Sequence, residues 1–159
     1  MKKIFIFIMI LIFAGCAYKP SIRISKSYSV VIKLKGLRFS DIGFLRYGEG
    51  DFADLELYDA GNLVLKIEMN KSICINSHCL KKEEFNRRFL SQEYPRDFFI
   101  NILHKRVIFE KKGYKKSGNG FIQKITGEKL DIIYKVDNKS LYFKDRKSHI
   151  LIKLKEIDG

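Results

Sequence analysis

The cysteines and histidines are the side chains in this sequence whose placement suggests chemistry. Cys16 directly follows Ala14 and Gly15, the small residues that a signal peptidase needs before its cut, at the end of an apolar run. Cys74 and Cys79 enclose the short segment Ile-Asn-Ser-His. The candidate chemistries are therefore acylation of a thiol, formation of a disulfide, and metal binding by thiolates together with a histidine.

The start of the chain has the pattern of a leader. Lys2 and Lys3 supply positive charge, and residues 4–13 are an unbroken apolar run that is too short to remain as a membrane-spanning helix. Phe13-Ala14-Gly15-Cys16 resembles a lipobox, although Phe13 stands where Leu, Val or Ile is usual. We predict a lipoprotein signal peptide over residues 1–15 and transfer of diacylglycerol, with further acyl chains such as palmitate, to Cys16. An ordinary secretory peptide is the alternative.

A lipid anchor predicts where the protein resides. Each buried CH₂ contributes about 0.8 kcal/mol, so several acyl chains hold a protein at a membrane. Ala17 stands where Asp would retain a lipoprotein in the inner membrane, which favours the outer membrane. Residues 18–27 are polar with a single proline, Pro20, and residues 16–27 are predicted to form a lipidated tether. The domain is expected over residues 28–159.

Export also bears on the two remaining cysteines. Thiols oxidise outside the cytoplasm, so a disulfide between Cys74 and Cys79 is expected. A loop this short constrains the unfolded chain only modestly and would fix the turn that leads into the helices. A metal site using Cys74, His78 and Cys79 is the alternative, but it lacks a clear fourth ligand. No cofactor is expected.

The sequence does not indicate an enzyme. Nucleophile elbows, Gly-rich phosphate loops and zincin motifs do not occur in it. His78, His104 and His149 are isolated from one another in the sequence. The acidic residues of the predicted strands alternate with apolar ones, and we expect them to form a solvated face.

The formal net charge of +13 predicts anionic partners. Nucleic acid, phospholipid head groups and lipopolysaccharide are the main classes. Export argues against nucleic acid and leaves the membrane partners. A solvated basic surface without a specific partner is the plainer interpretation.

Most of the chain after the tether alternates apolar and polar residues with a period of two, which predicts strands with one buried face. The first predicted strand carries Tyr28, Val30, Ile32 and Leu34 on that face. The next spans residues 37–47 with an interruption near Gly43, and two more cover residues 54–58 and 63–69. Asp59-Ala60-Gly61-Asn62 joins the last two as a tight hairpin turn, and residues 72–76 form a short strand.

The spacing becomes helical in the middle of the chain. Phe85, Phe89 and Leu90 lie on one side of a predicted helix over residues 82–92, opposite a charged face. Pro95 suits the first turn of a second helix that reaches about His104. Its apolar stripe consists of Phe98, Phe99, Ile102 and Leu103.

Strands resume after a Lys/Gly-rich loop at residues 113–120. They are predicted over residues 121–126, 130–136, 141–144 and 150–155, with turn residues between them. Short antiparallel strands and one pair of helices indicate the α+β class. We expect an antiparallel curved sheet or half-open β-barrel with a two-helix lid inserted mid-chain, because both the helices and the sheet have an apolar face to bury.

This order of elements resembles the LolB-like outer-membrane lipoproteins and their soluble LolA-like relatives. Residues 55–70 are similar to the family's strand–turn–strand unit, and residues 84–109 to its two-helix segment. Residues 121–134 are similar to its later strand pair, with Gln123 where the family often has Gln. The family's helices and later strands usually carry Trp, which this chain lacks.

The resemblance implies an apolar cavity under the lid that binds acyl chains of lipoproteins, with a LolA-like carrier as partner and lipoprotein localisation to the outer membrane as the function. The side chains expected to line the cavity are Leu55, Leu57, Leu65, Ile67, Phe85, Phe89, Phe98, Ile102, Phe121, Ile133 and Tyr134. The family's hairpin turn presents a bulky apolar residue associated with delivery into the membrane. Ala60 takes that membrane-facing position here.

Two alternatives to this hypothesis stay open. Patterning alone favours a filled core for the same apolar residues, since most apolar stripes are core. The alternative function is a non-enzymatic envelope module that binds lipopolysaccharide or a protein partner in outer-membrane assembly. Under either function we predict a monomer on the periplasmic face of the outer membrane.

Overall fold

A computed structural model describes residues 22–157 of the chain. The predicted signal peptide, the acylated Cys16 and the start of the predicted tether lie outside the described residues.

The described chain forms one large antiparallel sheet that is curved and does not close. The strand order is β6-β5-β4-β3-β2-β1-β11-β10-β9-β8-β7, so the first and last strands meet in the middle. The strands are β1 Ile22–Leu34, β2 Leu37–Gly48, β3 Ala53–Asp59, β4 Asn62–Met69, β5 Ile73–Ile75, β6 His78–Leu80, β7 Tyr114–Ser117, β8 Gly120–Thr126, β9 Asp131–Val136, β10 Ser140–Asp145 and β11 Ile150–Glu156.

Two helices are inserted between β6 and β7. They are α1 (Lys82–Phe89) and α2 (Phe98–Leu103), followed by a 3₁₀ turn at Phe109–Lys111. The predicted α+β class, with a half-open barrel and a mid-chain helical insert, is confirmed.

The core lies between the helices and the concave face of the sheet. Tyr28, Val30, Ile32 and Leu34 are buried, as their alternation predicted. Both helices contribute to the same cluster through Phe85, Phe98, Phe99, Ile102 and Leu103. Each fully buried side chain of this size contributes about 1.5–3 kcal/mol, so this contact holds the helices on the sheet.

The first strand is longer than the sequence predicted. Residues 22–27, assigned above to the tether, form the start of β1 and pair with the end of β2. Lys26 in this stretch also binds Glu156 of β11 at 2.9 Å. These tertiary partners hold the segment in a strand, although Ile22 and Ile24 in it stay exposed.

The predicted interruption at Gly43 is wrong, because β2 runs unbroken from Leu37 to Gly48. A Cβ at Gly43 would lie 2.7 Å from Cγ2 of Val30 and 3.0 Å from Cδ2 of Leu57. The glycine therefore lets the side chains of β1 and β3 meet across β2.

Both helices are shorter than predicted. α1 ends at Phe89, whose carbonyl accepts a 2.9 Å hydrogen bond from Lys35 N in the β1–β2 turn. α2 begins at Phe98 and not at Pro95. Pro95 lies in the preceding turn, where its carbonyl accepts a 2.9 Å hydrogen bond from Phe98 N.

The two outermost strands were not predicted. β6 occupies the segment after Cys74 that the sequence indicated as a turn, and β7 lies within the predicted Lys/Gly-rich loop. Each pairs with a single neighbour among the described strands. Edge strands of this kind have little apolar alternation, so their pairing partner defines them.

The hairpin between β3 and β4 forms as predicted. Asp59 pairs with Asn62, and Ala60 and Gly61 between them both have positive φ, at 47° and 83°. Positive φ at both central residues is the type I′ arrangement that matches the twist of a two-residue hairpin. Ala60 is exposed at the tip.

Candidate functional site

The lid–sheet interface gathers most of the residues that were predicted to line a cavity. Those that are fully buried are Leu55, Leu57, Ile67, Phe85, Phe98, Ile102 and Tyr134. Leu65, Phe89 and Phe121 are partly buried and pack against the same cluster. The structure therefore brings strands from both halves of the sheet together with both helices.

Ile133 does not belong to this interior cluster. It pairs across the sheet with Lys124 and Lys144, which are both exposed, whereas its neighbour Tyr134 pairs with Gln123 and Phe143 in the interior. Successive side chains of a strand point to opposite faces. Ile133 therefore lies on the outer face and does not contribute to the interior.

Aromatic rings connect the helices directly to the sheet. The ring centroids of Phe98 and Phe143 are 5.1 Å apart, and those of Phe98 and Tyr94 are 4.0 Å apart. Phe85 and Phe99 link the two helices at 5.1 Å. These distances are those of close aromatic packing, so the rings fill the space under the lid.

Polar contacts hold the lid to the sheet at two places and join its two helices at a third. Tyr94 Oη donates to Asp145 Oδ2 at 2.8 Å, and burial together with this carboxylate raises the pKa of Tyr94. Tyr47 Oη donates to the carbonyl of Leu103 at 2.8 Å. Lys82 Nζ lies 2.6 Å from Asp97 Oδ1 and joins the start of α1 to the residue before α2.

Gln123 holds the chain that leaves the lid. Its Oε1 accepts from Ile108 N at 2.8 Å, and its Nε2 donates to the carbonyls of Ile108 at 2.9 Å and Lys112 at 3.0 Å. Gln123 is fully buried on β8. The sequence singled out Gln123 by resemblance only, and the structure shows the role of its amide.

An apolar groove opens beside the lid, and we call it the seam groove. It lies between the end of α1 and the β5–β6 edge and has a volume of about 420 Å³. Its lining residues are Ile75, His78, Cys79, Leu80, Arg88 and Phe89. Of the predicted cavity residues, Phe89 alone lines it.

The predicted disulfide is confirmed and borders the seam groove. Cys74 and Cys79 face each other across the β5–β6 ladder and are bonded. The cross-link fastens β6 to β5, which is where the groove has its strand wall. Without a bond across this ladder, three residue pairs alone would hold the short outer strand.

A cluster of charges covers the outer face of β3. Arg46 lies 2.6 Å from Glu56 and 3.3 Å from Asp54, and Lys66 lies 3.6 Å from Asp54. The Arg46 hydrogen bond lowers the pKa of Glu56, while burial raises that of Asp54. The expectation that these acids form a solvated face is wrong, since the cations of β2 and β4 cover both of them.

Among residues 22–157, no group of three or more His, Cys, Asp and Glu side chains is arranged to hold a metal ion. Over the same residues, no helix has the length and apolarity needed to cross a membrane. His78 is exposed beside the seam groove, whereas His104 packs against the Tyr47 ring with centroids 5.0 Å apart.

Comparison of the chain with known proteins found no match. No protein-family model matches it, and neither the curated proteins nor the solved structures contain a match.

Proposed function

We propose that this protein is a membrane-anchored lipoprotein of the cell envelope that binds acyl chains, including those of other lipoproteins bound for the outer membrane. Its own acylated Cys16 would supply the anchor, and a LolA-like carrier would be the partner. The resemblance of the sequence to LolB-like proteins supports the proposal. The observation that carries it is the apolar seam groove between the lid and the sheet edge.

The groove has walls that suit an acyl chain. Ile75, Leu80 and Phe89 provide apolar contact, and burial of each CH₂ group against such walls contributes about 0.8 kcal/mol. The groove also lies at a boundary between a helix and a sheet edge.

The rim of the groove suits the polar end of an acylated molecule. The Arg88 guanidinium lies 5.4 Å from the centroid of the Phe89 ring and is exposed. A guanidinium at this position can donate to ester, carbonyl or carboxylate oxygens of a chain whose tail lies on the ring.

A tethered module without lipid cargo is the second candidate, and the packed interior favours it. Phe85 and Phe98 are fully buried and touch neighbouring rings. A chain entering beneath the lid would displace these rings, whereas a module that binds lipopolysaccharide or a protein partner on its surface would not.

The test uses the full chain made in a bacterium that processes lipoproteins. Intact mass of the native protein is expected to show added acyl groups, and Cys16→Ser is expected to lack them. For binding, a palmitoylated peptide is titrated by native mass spectrometry into the exported chain carrying Cys16→Ser. Phe89→Glu is expected to weaken binding about tenfold or more, because it replaces apolar contact with a charge.

Leu63→Glu is the matched control, since it makes the same kind of change at an exposed apolar residue on β4, away from the seam groove. It is expected to bind the peptide like the parent. Equal weakening by both variants, or no binding by the parent, would exclude the seam groove as an acyl site. The surface-binding module would then be the better account.

A further inference from the structure

A second groove, which we call the basic groove, lies between the β1–β2 turn and the β10–β11 turn. Its volume is about 700 Å³. The residues that line it are Lys33, Leu34, Lys35, Gly36, Leu37, Arg38, Ser148 and His149. Three of these are Lys or Arg and none is an acid.

The cations of the basic groove lie close to one another. Lys33 and Arg38 are directly opposite in the β1–β2 ladder, and Lys35 lies in the turn that joins these strands. Like charges directly opposite on neighbouring strands are destabilising. No ion pair between described residues involves Lys33, Lys35 or Arg38.

An anion in the groove would remove this repulsion. Arg38 offers the planar fork that binds phosphate oxygens in pairs, and Lys33 and Lys35 offer point charges on flexible stems. The cations of the basic groove therefore fit a phosphate-type group.

One backbone hydrogen bond joins a residue of the basic groove to a residue of the seam groove. Lys35 N donates to the carbonyl of Phe89 at 2.9 Å, Lys35 lines the basic groove, and Phe89 lines the seam groove. Lys35 of the basic groove thus lies beside Phe89 of the seam groove at the end of α1. This is the arrangement that an anionic amphiphile requires.

We propose that the two grooves form one binding site for an anionic amphiphile, with its phosphate-type head group on Lys33, Lys35 and Arg38 and its acyl chain in the seam groove. The proposal rests on the proposed function for the acyl chain and adds the class of ligand. Under this proposal, a phosphorylated lipid binds more tightly than an acylated peptide that carries no anionic group next to its acyl chains.

The experiment measures binding by isothermal titration calorimetry with the exported full chain carrying Cys16→Ser. The probes are dodecyl phosphate, dodecyl maltoside and inorganic phosphate, each below any micelle concentration. Dodecyl phosphate is expected to bind at least about tenfold more tightly than either of the others, since only it uses both grooves. Its affinity is expected to fall as salt is raised.

Lys33→Gln combined with Arg38→Gln is the test variant. Dodecyl phosphate is expected to bind it about tenfold or more weakly, while dodecyl maltoside binds unchanged. The variant is also expected to keep or raise the melting temperature of the parent, because it removes a repulsive pair. Lys124→Gln with Lys135→Gln is the matched control, which removes two exposed charges from β8 and β9 and is expected to bind like the parent.

The outcomes separate the two proposals. If both dodecyl ligands bind but the test variant behaves like the control, the head-group site is overturned while the acyl site stands. If inorganic phosphate binds as tightly as dodecyl phosphate and the maltoside does not bind, the groove takes free phosphate, and the amphiphile is overturned together with the acyl site.

Discussion

At the scale of single residues, the half-buried His104 has a pKa that differs between the folded and the unfolded chain. Burial and then the positive charge of Arg106 lower its pKa below the ordinary value of 6.5, against the opposing effect of Asp51. Its Nε2 is buried without a hydrogen-bond partner among the described residues. The neutral imidazole is therefore the form that the folded protein accommodates.

This lowered pKa predicts that the protein loses stability on mild acidification. Between the folded-state pKa and 6.5 the unfolded chain binds more protons at this residue, so the contribution is complete above 6.5 and is lost as pH falls. Urea unfolding at pH 7.5 and pH 5.5 is expected to show a smaller free energy of unfolding at the lower pH. His104→Gln is expected to flatten this difference.

His78→Gln and His149→Gln serve as controls for this prediction, because both histidines are exposed. Each is expected to retain the pH dependence of the parent. The assignment fails if His104→Gln unfolds with the same difference between the two pH values as the parent does.

At the scale of elements, the lid is positioned by the chain on either side of it. The Cys74–Cys79 bond fastens the strand before α1, and Gln123 fastens the segment after α2. The lid is thus held at both ends by contacts outside its own apolar stripe. Side-chain contacts from Tyr94 and Tyr47 add to this hold.

Gln123→Leu is expected to destabilise the protein by about 1–3 kcal/mol or more, because it leaves a buried N–H and two carbonyls of the Ile108–Lys112 segment without their partner. Urea unfolding measures this loss. Hydrogen exchange is expected to show faster exchange at Ile108 before it affects the central strands.

Gln92→Leu is the control, since Gln92 is exposed and makes only a 3.5 Å contact to its neighbour Glu93. It is expected to unfold like the parent. A Gln123→Leu protein with unchanged stability and unchanged exchange at Ile108 would show that water or another group replaces the amide.

At the scale of the whole molecule, an open sheet has edges that could pair with another chain. Every residue of β7 is exposed, and in the described chain β7 pairs only with β8. Lys115 and Lys116 stand in the middle of this strand. Charged edge residues, lysine in particular, are a common defence against edge-to-edge association.

Replacing Lys115 and Lys116 together by Thr is expected to cause self-association at concentrations where the parent is monomeric. Threonine favours strands and removes the repulsion between two approaching edges. Light scattering after size-exclusion chromatography measures the mass as a function of concentration.

The same pair of substitutions at Lys144 and Lys153 is the control, because these exposed lysines lie on β10 and β11 inside the sheet. Those strands already pair on both sides, so this variant is expected to stay monomeric. If both variants associate equally, the cause is the lower net charge and not the exposed edge strand β7.

The sequence alone predicted the class of the fold and most of the central elements. Most strands with one face in the core were recognisable, because apolar and polar residues alternate along such a strand. These strands are β1, β3, β4 and β8 to β11. The hairpin at Ala60 and Gly61 and the Cys74–Cys79 disulfide were likewise predictable, since both depend on residues close together in the chain.

The tertiary structure determined the features that depend on residues distant in the sequence. The edge strands β6 and β7 and the first residues of β1 exist because a partner strand lies beside them, and that partner is not encoded in their own pattern. The same holds for Asp54 and Glu56, whose burial comes from Arg46 and Lys66 on adjacent strands.

The two grooves also depend on contacts between residues distant in the sequence. Helical spacing indicated that Phe89 lies on the apolar side of α1, but the seam groove forms only where the end of α1 meets the β5–β6 edge. The lysines were visible as charge in the sequence, whereas the opposition of Lys33 and Arg38 follows from the register of β1 against β2. Local periodicity reports which side of an element is buried, and only long-range packing determines which surfaces meet.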